Sequence, residues 1–531
     1  MRLTRAHATA ALGLAGDALA GARLAIRLRS YFRRPITREA ALAEVRRRHE
    51  QRDQTFLAIA RSAIYQQPDS PYRQLLQTAG CEYGDLERLV VREGVEGALS
   101  TLFRQGVYLT VDEYKGRRAT VRGGRTLAVD PQRLRNPLAR SDIFAQTSGS
   151  RGPRTVTGFD LSFVRDCAVN TLLFLDARGG ADWVKADWEG PGGGAAFRLL
   201  KFNSFGAPPA AWFTRNPRDV LRQRTEVNSE FMRVGGRLAG RPFPHALHVP
   251  HERPLPIAEW MQNVLRGGRK PHMYGFVSSI VRLCQAASEA GIDLTGAEFT
   301  LIGEPITAAR LATVRKSGAT GIARYGTIEA GPIGYGCLRP DAPDDVHLLQ
   351  DRVAVIQAGA GHGTALPPEA ILLTTLSPMT PFVFLNVSMG DQAHVTHRSC
   401  GCAMESWCRG PHLHAILSYE KLTAAGLTLL DTDIVRVLEE VLPARFGGVP
   451  THYQLLEDEG EDGQPRLALL VHPAVGAIDE PDVIRAFRAG IGADGGVWDT
   501  PGFLRVERRA PEPTASGKIL HLHLWKRPAV G

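Results

Sequence analysis

The fold is most constrained by the stretch Thr147-Ser148-Gly149-Ser150-Arg151-Gly152-Pro153-Arg154-Thr155. Glycines let a backbone approach a ligand closely, and amides, hydroxyls and arginines are the groups that bind phosphates. No Gly-Lys-Ser/Thr follows at the spacing of a Walker A motif, so the stretch is not a P-loop of that type. Its composition predicts a polyphosphate-binding loop, and a plain surface turn is the alternative that this stretch alone leaves open.

Composition and charge describe an ordinary globular protein. The chain has 531 residues, of which 44% are hydrophobic and 22% are charged, which is enough for more than one domain. The net charge of +9 lies on scattered arginines without a nucleic-acid-binding motif, so anionic small molecules account for it and we expect no nucleic acid partner. Asp17, Arg23 and Arg27 interrupt the apolar N-terminal stretch, which predicts an amphipathic helix and no membrane span. Seven cysteines, an odd and low number, favour a reducing compartment, and we expect a cytoplasmic protein.

The order of predicted elements indicates a large α/β part followed by a small α+β part. Apolar residues at helical spacing predict a mainly helical lead-in over 1–105, and short strands are predicted over 106–111 and 120–122. Helices then alternate with strands to about residue 305, and the sequence becomes β-rich after Gly331. From near residue 421 the predicted order of helix, strand, strand, helix and strand forms a unit of roughly 110 residues, the size of a small domain.

Four short motifs follow one another in an order that suits a nucleotide. They supply an aromatic ring for stacking, a hydroxyl for phosphate, carboxylates for Mg²⁺ and ribose, and a mobile cation. Each motif alone also fits a turn, a loop or a solvated tail, but their joint occurrence predicts a nucleotide site. The motifs are the loop at 147–155, Gly303-Glu304-Pro305 with Arg324-Tyr325-Gly326-Thr327-Ile328-Glu329-Ala330-Gly331, Met389-Gly390-Asp391, and Pro513-Thr514-Ala515-Ser516-Gly517-Lys518.

With these motifs the chain resembles the adenylate-forming superfamily of acyl-CoA synthetases and adenylation domains, most closely its phenylacetate-CoA ligase-like branch. The resemblance covers nearly the whole chain, including Ser70-Pro71-Tyr72 and the stretch 106–117. It implies an α/β fold in which a large N-terminal domain of mixed sheets and helices, residues 1–417, binds ATP and the acid. A small mobile α+β C-terminal domain, residues 418–531, would then carry the catalytic lysine.

The resemblance also implies roles for single residues. Lys518 would contact the reacting carboxylate and the α-phosphate, Thr327 the phosphates, and Glu329 a Mg²⁺ ion, and these three form the expected catalytic set. Attack of a carboxylate on phosphorus brings two anions together, so positioning and cations carry most of such catalysis. The expected nucleotide-binding residues are Thr147, Ser148, Gly149, Ser150, Gly152, Gly303, Glu304, Pro305, Tyr325, Gly326 and, for the ribose, Asp391.

Two positions depart from the family pattern. Where the family has a Gly-Arg-x-Asp hinge, this chain has Ile416-Leu417-Ser418-Tyr419 with Glu420 as the nearest acid, so the ribose-contacting arginine is missing. Arg151 stands at a loop position where the family usually has Ser or Thr. Adenylation is compatible with both changes, whereas the hinge change bears on domain rotation and on transfer to CoA.

The cysteines indicate a second site. Cys400-Gly401-Cys402 is closely spaced, and four thiolate and imidazole ligands suit tetrahedral Zn²⁺. The first-ranked ligands are Cys337, His347, Cys400 and Cys402, with Cys408, His394 and His397 as substitutes. Some phenylacetate-CoA ligase-like proteins resemble this pattern, which favours a structural zinc, and reduced core cysteines are the alternative.

The acid-binding pocket is predicted from aromatic and small residues. The stretches 202–206 and 272–276, Phe-Asn-Ser-Phe-Gly and His-Met-Tyr-Gly-Phe, would shape a slot for a planar acid, and an ordinary core is the alternative. No adjacent Ser-His-Asp or Cys-His pattern indicates a hydrolase.

Together the residues and the resemblance predict an AMP-forming ligase. It would use ATP and Mg²⁺ to convert an aromatic carboxylic acid to an acyl-adenylate, release pyrophosphate, and pass the acyl group to CoA. The alternatives are transfer to another nucleophile, such as an amine, a nitrite-type species or a carrier protein, and a nucleotide-binding homologue without turnover. The sequence leaves open the acid, the acceptor, the pathway and the oligomeric state, for which a homodimer is one option.

Overall fold

The computed structural model describes most of the chain. It covers residues 26–127, 129–141, 143–146, 156–190, 193–215, 234–361, 364–419, 423–424, 427–428, 433–459, 465–493, 496–514 and 516–524. The loop at 147–155, with the predicted phosphate-binding residues Thr147, Ser148, Gly149, Ser150 and Gly152, lies outside the described residues.

Helices fill the first hundred described residues and then alternate with strands. The described part of the lead-in, residues 26–105, is mainly helical, as its apolar spacing predicts, whereas residues 1–25 of the expected N-terminal amphipathic helix lie outside the described residues. The helix Tyr83–Arg104 bends at Gly94, where φ is +69°. The helices are α1 Arg38–Glu50, α2 Arg52–Ile59, α3 Pro71–Thr78, α4 Tyr83–Arg104, α5 Val111–Tyr114, α6 Leu161–Ala177, α7 Gly193–Asn203, α8 Leu255–Arg266, α9 Val277–Glu289, α10 Ala308–Lys316, α11 Ile434–Arg436, α12 Leu442–Phe446 and α13 Glu480–Ile491.

One predicted strand is wrong. In place of a strand over 106–111, Leu109 forms an isolated bridge to Val387 and α5 begins at Val111. The Thr110 hydroxyl accepts a hydrogen bond from the Glu113 amide, and the Glu113 carboxylate accepts one from the Thr110 amide. This reciprocal capping box starts a helix where apolar alternation had indicated a strand.

The strands form one large sheet and several small ones. They are β1 Thr120–Arg122, β2 Arg125–Leu127, β3 Ile143–Gln146, β4 Val156–Phe159, β5 Val184–Trp188, β6 Ala211–Thr214, β7 Ala246–His248, β8 Pro271–Phe276, β9 Glu298–Ile302, β10 Thr320–Thr327, β11 Gly331–Gly336, β12 Val346–Leu348, β13 Val353–Gln357, β14 Ala370–Thr375, β15 Val387–Thr396, β16 His412–Ser418, β17 Thr423–Ala424, β18 Leu427–Thr428, β19 Tyr453–Glu459, β20 Pro465–Val471, β21 Leu504–Glu507 and β22 Leu522–Leu524. The large sheet has 12 strands in the order β13-β14-β15-β16-β12-β11-β10-β9-β8-β5-β6-β7.

The large sheet is parallel from β7 to β10 and antiparallel from β10 to β13. Its central strands are buried on both faces, which is why they read as almost continuous apolar runs. Helices α8, α9 and α10 pack with Met273 and Phe299 on one face, and α6 and α7 pack with Tyr274 and Tyr335 on the other. Because the strands from β7 to β10 are parallel, their carboxyl ends share one edge, where ligands of open α/β sheets bind.

The C-terminal unit, residues 433–459, 465–493, 496–514 and 516–524, is a separate α+β layer. Its four strands lie in the order β21-β20-β19-β22, and α13 packs on them around Phe487 and Leu469. The predicted fold class, an α/β fold with a small α+β C-terminal domain, is confirmed. The predicted boundary between residues 417 and 418 falls at the end of β16 and stays a prediction. Among the described helices, none combines the length and the apolar character that crossing a bilayer requires.

Candidate active site

The carboxyl edge of the parallel strands brings the predicted motif Gly303-Glu304-Pro305 to the tip of β9. Gly303 has a φ of +73°, and a Cβ there would lie 2.9 Å from the Phe276 ring and 3.0 Å from the Lys518 ammonium. Glycine is therefore required both by the backbone and by the close approach of two side chains. Glu304 Oε2 accepts hydrogen bonds from the Ser278 amide at 3.0 Å and its hydroxyl at 2.9 Å, so this carboxylate also caps α9.

A residue of the C-terminal unit, Lys518, lies at the same carboxyl edge of the parallel strands. Its Nζ lies 4.5 Å from the centre of the Phe276 ring at the end of β8. The neighbouring backbone fixes this position, because Arg282 donates to the Gly517 carbonyl at 2.9 Å and the Ile519 amide donates to the Ser278 hydroxyl at 3.1 Å. The lysine that the sequence predicts as catalytic thus reaches the motif at Gly303 although the two are far apart in the chain.

A second pair of predicted residues meets across the sheet. The Tyr325 hydroxyl donates to Asp391 Oδ2 at 2.8 Å, which joins the expected adenine-stacking ring to the expected ribose ligand. Tyr325 and Gly326 lie at the end of β10, beside the end of β9, so both predicted motifs share the same edge. Sequence order alone could not show this contact between β10 and β15.

Thr327 is the last residue of β10, and Glu329 lies in the turn between β10 and β11. The Thr327 hydroxyl accepts a hydrogen bond from the Ala330 amide at 3.0 Å. Glu329 is buried, and burial raises the pKa of its carboxyl, although hydrogen bonds and the charge of Lys115 oppose this rise. A buried carboxylate is a ligand type that Mg²⁺ prefers, so the residue fits the predicted Mg²⁺ role.

The site contains functional groups that sequence reasoning missed. Arg215 directly follows β6. Its guanidinium lies 4.7 Å from the centre of the Phe276 ring and pairs with the Glu189 carboxylate at 3.2 Å. Two of its guanidinium nitrogens, Nε and Nη1, are buried without a hydrogen-bond partner in the described chain. Phe276 therefore has two cations against it, Arg215 and Lys518, and nothing in the local sequence around Arg215 signals this.

A domain-contact cluster, Arg310, Glu439 and His521, ties the C-terminal unit to α10. Glu439 Oε1 lies 2.6 Å from Arg310 Nε and 2.5 Å from His521 Nε2. Glu439 Oε2 accepts a hydrogen bond from the Thr307 hydroxyl, and Arg310 also donates to the Pro305 carbonyl at 3.3 Å. Burial by itself raises the pKa of Glu439, but Arg310 and His521 together hold it below its usual value. The cluster is charge-balanced and connects the Gly303-Glu304-Pro305 motif to the strand that follows Lys518.

The missing hinge motif lies in regular sheet. Leu417 pairs with Gln392 and Ser418 with Asp391 at the end of β16, and the Tyr419 hydroxyl contacts the Ser388 hydroxyl at 2.6 Å. A leucine thus stands on a paired strand where the family pattern has arginine.

The four first-ranked metal ligands come together beside the large sheet. The ligand atoms of Cys337, His347, Cys400 and Cys402 all lie within 4.8 Å of one another. His347 Nε2 is 3.3 Å from the Cys402 sulfur and 3.5 Å from the Cys400 sulfur. Zinc–sulfur bonds of about 2.3 Å place tetrahedral ligands roughly 3.8 Å apart, so this donor set fits zinc.

The surroundings of this cluster direct N–H groups at one of its sulfurs. The Arg339 amide and the Arg398 guanidinium approach the Cys337 sulfur at 3.3 Å and 3.7 Å. Burial lowers the pKa of His347 to about 4, which keeps the imidazole neutral and able to act as a ligand. Of the predicted substitutes, Cys408 donates instead to the Leu348 carbonyl and His394 contacts Glu369. His397 is not part of the group either.

The two stretches predicted to shape an acid slot also meet. The rings of Phe202 and Tyr274 lie 5.5 Å apart in an edge-to-face contact on the α7 side of the sheet. Lys201, which directly precedes Phe202, points its ammonium at the Tyr274 ring from 4.5 Å. One indication of this lysine is present in the sequence, because it directly precedes the stretch 202–206, whose aromatic residues predicted an acid slot.

Comparison with solved structures relates this architecture to known proteins. The structure of 2-hydroxyisobutyryl-CoA ligase in the postadenylation state in complex with 2-HIB-AMP is 13% identical, covers 91% of this chain and 88% of that chain, and has a TM-score of 0.56. The chain has the adenylate-forming ligase fold. The same ligase in complex with R3-HIB-AMP gives 14% identity, the same coverage and a TM-score of 0.55. The amide bond synthetase McbA from Marinactinospora thermotolerans is 14% identical over 85% of this chain and 91% of that chain, with a TM-score of 0.40.

At these identities the comparison concerns the adenylate-forming fold and nothing finer. No family model matches the sequence, and no curated protein matches it as a relative. The resemblance that the motifs carry to the adenylate-forming superfamily is thus confirmed at the level of fold. The phenylacetate-CoA ligase-like branch within it stays a prediction.

Proposed function

We propose that this protein is an AMP-forming ligase of the phenylacetate-CoA ligase-like type that activates an aromatic carboxylic acid. In the first step a carboxylate oxygen attacks the α-phosphorus of ATP, the bond to the bridging oxygen breaks, and pyrophosphate leaves. In the second step the CoA thiol attacks the acyl carbon of the acyl-adenylate, which yields a thioester, AMP and a proton.

The observation that carries this proposal is the placement of Lys518. Its ammonium lies at the carboxyl edge of the sheet beside Gly303 and Phe276. Hydrogen bonds between the neighbouring backbone and two α9 side chains, together with a balanced ion cluster, hold the segment there. A fixed cation at a point where two anions must meet lowers the barrier to their reaction without reorganisation cost. Arg215, with two unpartnered guanidinium nitrogens nearby, adds to the positive potential of this edge.

Two metals belong to the proposal. Glu329 would hold Mg²⁺, which neutralises phosphate charge when bound, and the burial of this carboxylate beside Thr327 supports this role. Cys337, His347, Cys400 and Cys402 would hold Zn²⁺. Four protein ligands close the coordination sphere, so we assign this zinc to stability.

CoA is the proposed acceptor in the transfer half-reaction. Leu417 occupies a paired strand where the family pattern has its hinge arginine, and this change bears on the transfer half-reaction. An amine, a nitrite-type species or a carrier-protein thiol would serve as acceptor in the alternative ligase, and a nucleotide-binding homologue would stop before pyrophosphate release.

All seven cysteines are outside disulfide bonds, which supports the proposed cytoplasmic location. A homodimer stays one option for the assembly.

The test is exchange of labelled pyrophosphate into ATP, driven by a panel of aromatic, aliphatic and amino acids. We expect exchange with at least one aromatic acid, and AMP release that increases when CoA is added. Lys518→Ala should lower the exchange rate about 100- to 1000-fold, because it removes a preorganised charge from the reacting phosphate. ATP binding, measured by titration calorimetry, should be retained.

Lys316→Ala removes an exposed lysine of α10 and serves as the matched control with wild-type exchange. Unchanged exchange in Lys518→Ala would contradict the role given to this lysine. ATP binding without exchange for any acid would favour the non-catalytic homologue, and thioester formation with a carrier protein or amide formation in place of acyl-CoA would favour the alternative ligases.

A further inference from the structure

Two cations on the α7 face of the sheet lack the carboxylate partners that buried cations normally have. Lys201 is 2% exposed and makes no hydrogen bond or ion pair with any residue of the described chain. Arg324 on β10 is half-buried, and its Nε is buried without a hydrogen-bond partner. An unpaired buried charge is costly, so a protein that retains two of them close together is expected to pair them with a ligand.

The register of the sheet brings these cations to one face. Phe276 lies beside Ile302, and Ile302 lies beside Arg324, so all three side chains point the same way. Tyr274 shares this face because it lies two residues before Phe276 on β8. Its hydroxyl is also buried without a hydrogen-bond partner in the described chain, and its ring lies 4.5 Å from the Lys201 ammonium.

The charges around this face do not cancel. Arg198 binds Asp187 at 2.5 Å and Glu189 at 2.7 Å, and Arg215 shares Glu189, so these two carboxylates are already committed to two arginines. No carboxylate of the described chain forms an ion pair with Lys201 or Arg324. Burial and, next, the charge of Arg324 lower the pKa of Lys201 well below its ordinary value, and an anion bound here would restore the ammonium.

Strand geometry relates this face to the reacting centre. Lys518 lies 4.5 Å from the ring of Phe276, and Lys201 lies 4.5 Å from the ring of Tyr274. Both rings belong to β8 and lie two residues apart on the same face, with Cα atoms roughly 7 Å apart, so the two cations approach neighbouring rings of one strand. Phe197 and Phe202, 5.7 Å and 5.5 Å from the ammonium, add flat apolar walls.

We infer that Lys201, Arg324 and the Tyr274 hydroxyl bind a second anionic group of the acid that this enzyme activates. The inference rests on the proposed function and narrows it to one substrate class, aromatic acids with two acidic groups, such as a benzenedicarboxylate or a sulfobenzoate. Lys518 serves the reacting carboxylate, and Lys201 and Arg324 select the acid by its distal charge.

The experiment compares matched acids in the pyrophosphate-exchange assay. The pairs are benzene-1,4-dicarboxylate, benzene-1,3-dicarboxylate and 4-carboxyphenylacetate, each against the methyl ester of its distal carboxylate, with 4-sulfobenzoate to separate carboxylate from sulfonate recognition. We expect kcat/KM for at least one doubly charged acid to exceed that of its half-ester or, for sulfobenzoate, of benzoate, by about thirtyfold or more. In Lys201→Met this ratio should fall close to one, mainly through KM, while the half-ester reacts as well as before or better.

Arg324→Gln should lower the ratio in the same direction, and it replaces Lys201→Met if that variant fails to fold. Lys316→Met is the control and should keep the wild-type ratio. Half-esters that react as well as the diacids in the wild type would overturn the inference, as would a ratio unchanged in both variants, and each result leaves the proposed adenylation standing. If no acid supports exchange, the proposed function fails, and calorimetric titration with the three diacids still decides whether this face binds them in a Lys201-dependent manner.

Discussion

Two buried charge clusters in this protein have opposite charge balance. In the domain-contact cluster, the Glu439 carboxylate meets both Arg310 and His521, and every member has a partner. On the α7 face, Lys201 is buried and Arg324 is half-buried, and neither forms an ion pair with a carboxylate of the described chain. The first arrangement connects two parts of the chain, whereas we propose that a ligand completes the second. Charge balance therefore distinguishes a structural contact from a binding site where burial does not.

The largest effect should come from a third cluster, the proposed zinc site. Three thiolates and a zinc ion would carry one net negative charge beside Arg398, whose guanidinium contacts the Cys337 sulfur and also pairs with Asp341 and Asp345. Removing the metal with a chelator leaves cysteines that cannot stay ionised, and structural zinc contributes roughly 10–16 kcal/mol of binding free energy in small zinc peptides. We expect about one zinc per chain by elemental analysis. Metal removal should lower the melting temperature by about ten degrees or more, as expected for a loss of several kcal/mol of unfolding free energy.

Cys408→Ala is the control for the metal, since this buried cysteine bonds to a backbone carbonyl outside the group. Its zinc content should equal that of the wild type, whereas Cys402→Ala should lose zinc. Protein purified without chelator that contains no zinc would contradict the assignment.

The next effect concerns the balanced cluster. Glu439→Ala leaves Arg310 buried without its counter-ion, and breaking a buried pair in this way costs about 3–5 kcal/mol. Calorimetric unfolding should show this loss, and pyrophosphate exchange should fall because the contact that seats the Lys518 segment is weakened. The neighbouring Glu440 is exposed, so Glu440→Ala should change the unfolding free energy by less than about 0.5 kcal/mol. If Glu439→Ala and Glu440→Ala were equally stable, the domain-contact cluster would not have the structural role given to it here.

The smallest expected effect is a gain in stability. Lys201→Met removes an unpaired buried amine and retains most of the side-chain volume, so the ligand-free protein should become more stable by about 1–2 kcal/mol. Urea unfolding in the absence of acids measures this gain, and Lys316→Met should show none. A destabilised Lys201→Met would mean that the lysine is a satisfied structural residue after all.

Sequence reasoning identified what is local or ordered along the chain. The buried strands β8 and β9 read as apolar runs, the motif order indicated a nucleotide site, and the spacing of Cys400 and Cys402 pointed to a metal. The capping box of Thr110 and Glu113 was also readable, although apolar alternation was given more weight there.

What sequence reasoning missed depends on contacts between distant elements. Nothing near Arg310 shows that its carboxylate partner comes from the C-terminal unit, because arginine and glutamate occur throughout the chain. Lys201 and Arg324 were each adjacent to predicted stretches, but only the register of β8, β9 and β10 shows that they share a face. Charge balance is a property of the assembled sheet, and the order of residues does not encode it locally.

Gly303 leaves little space for a side chain at the sheet edge, and this matters for protein engineering. A methyl group at residue 303 would lie 2.9 Å from the Phe276 ring and 3.0 Å from the Lys518 ammonium, so a side chain would have to shift, on a backbone whose φ of +73° already disfavours any side chain. Gly303→Ala therefore perturbs the position of the proposed catalytic lysine from the sheet side while every charged group of the protein stays in place. It gives a designer a way to displace the lysine without removing its charge.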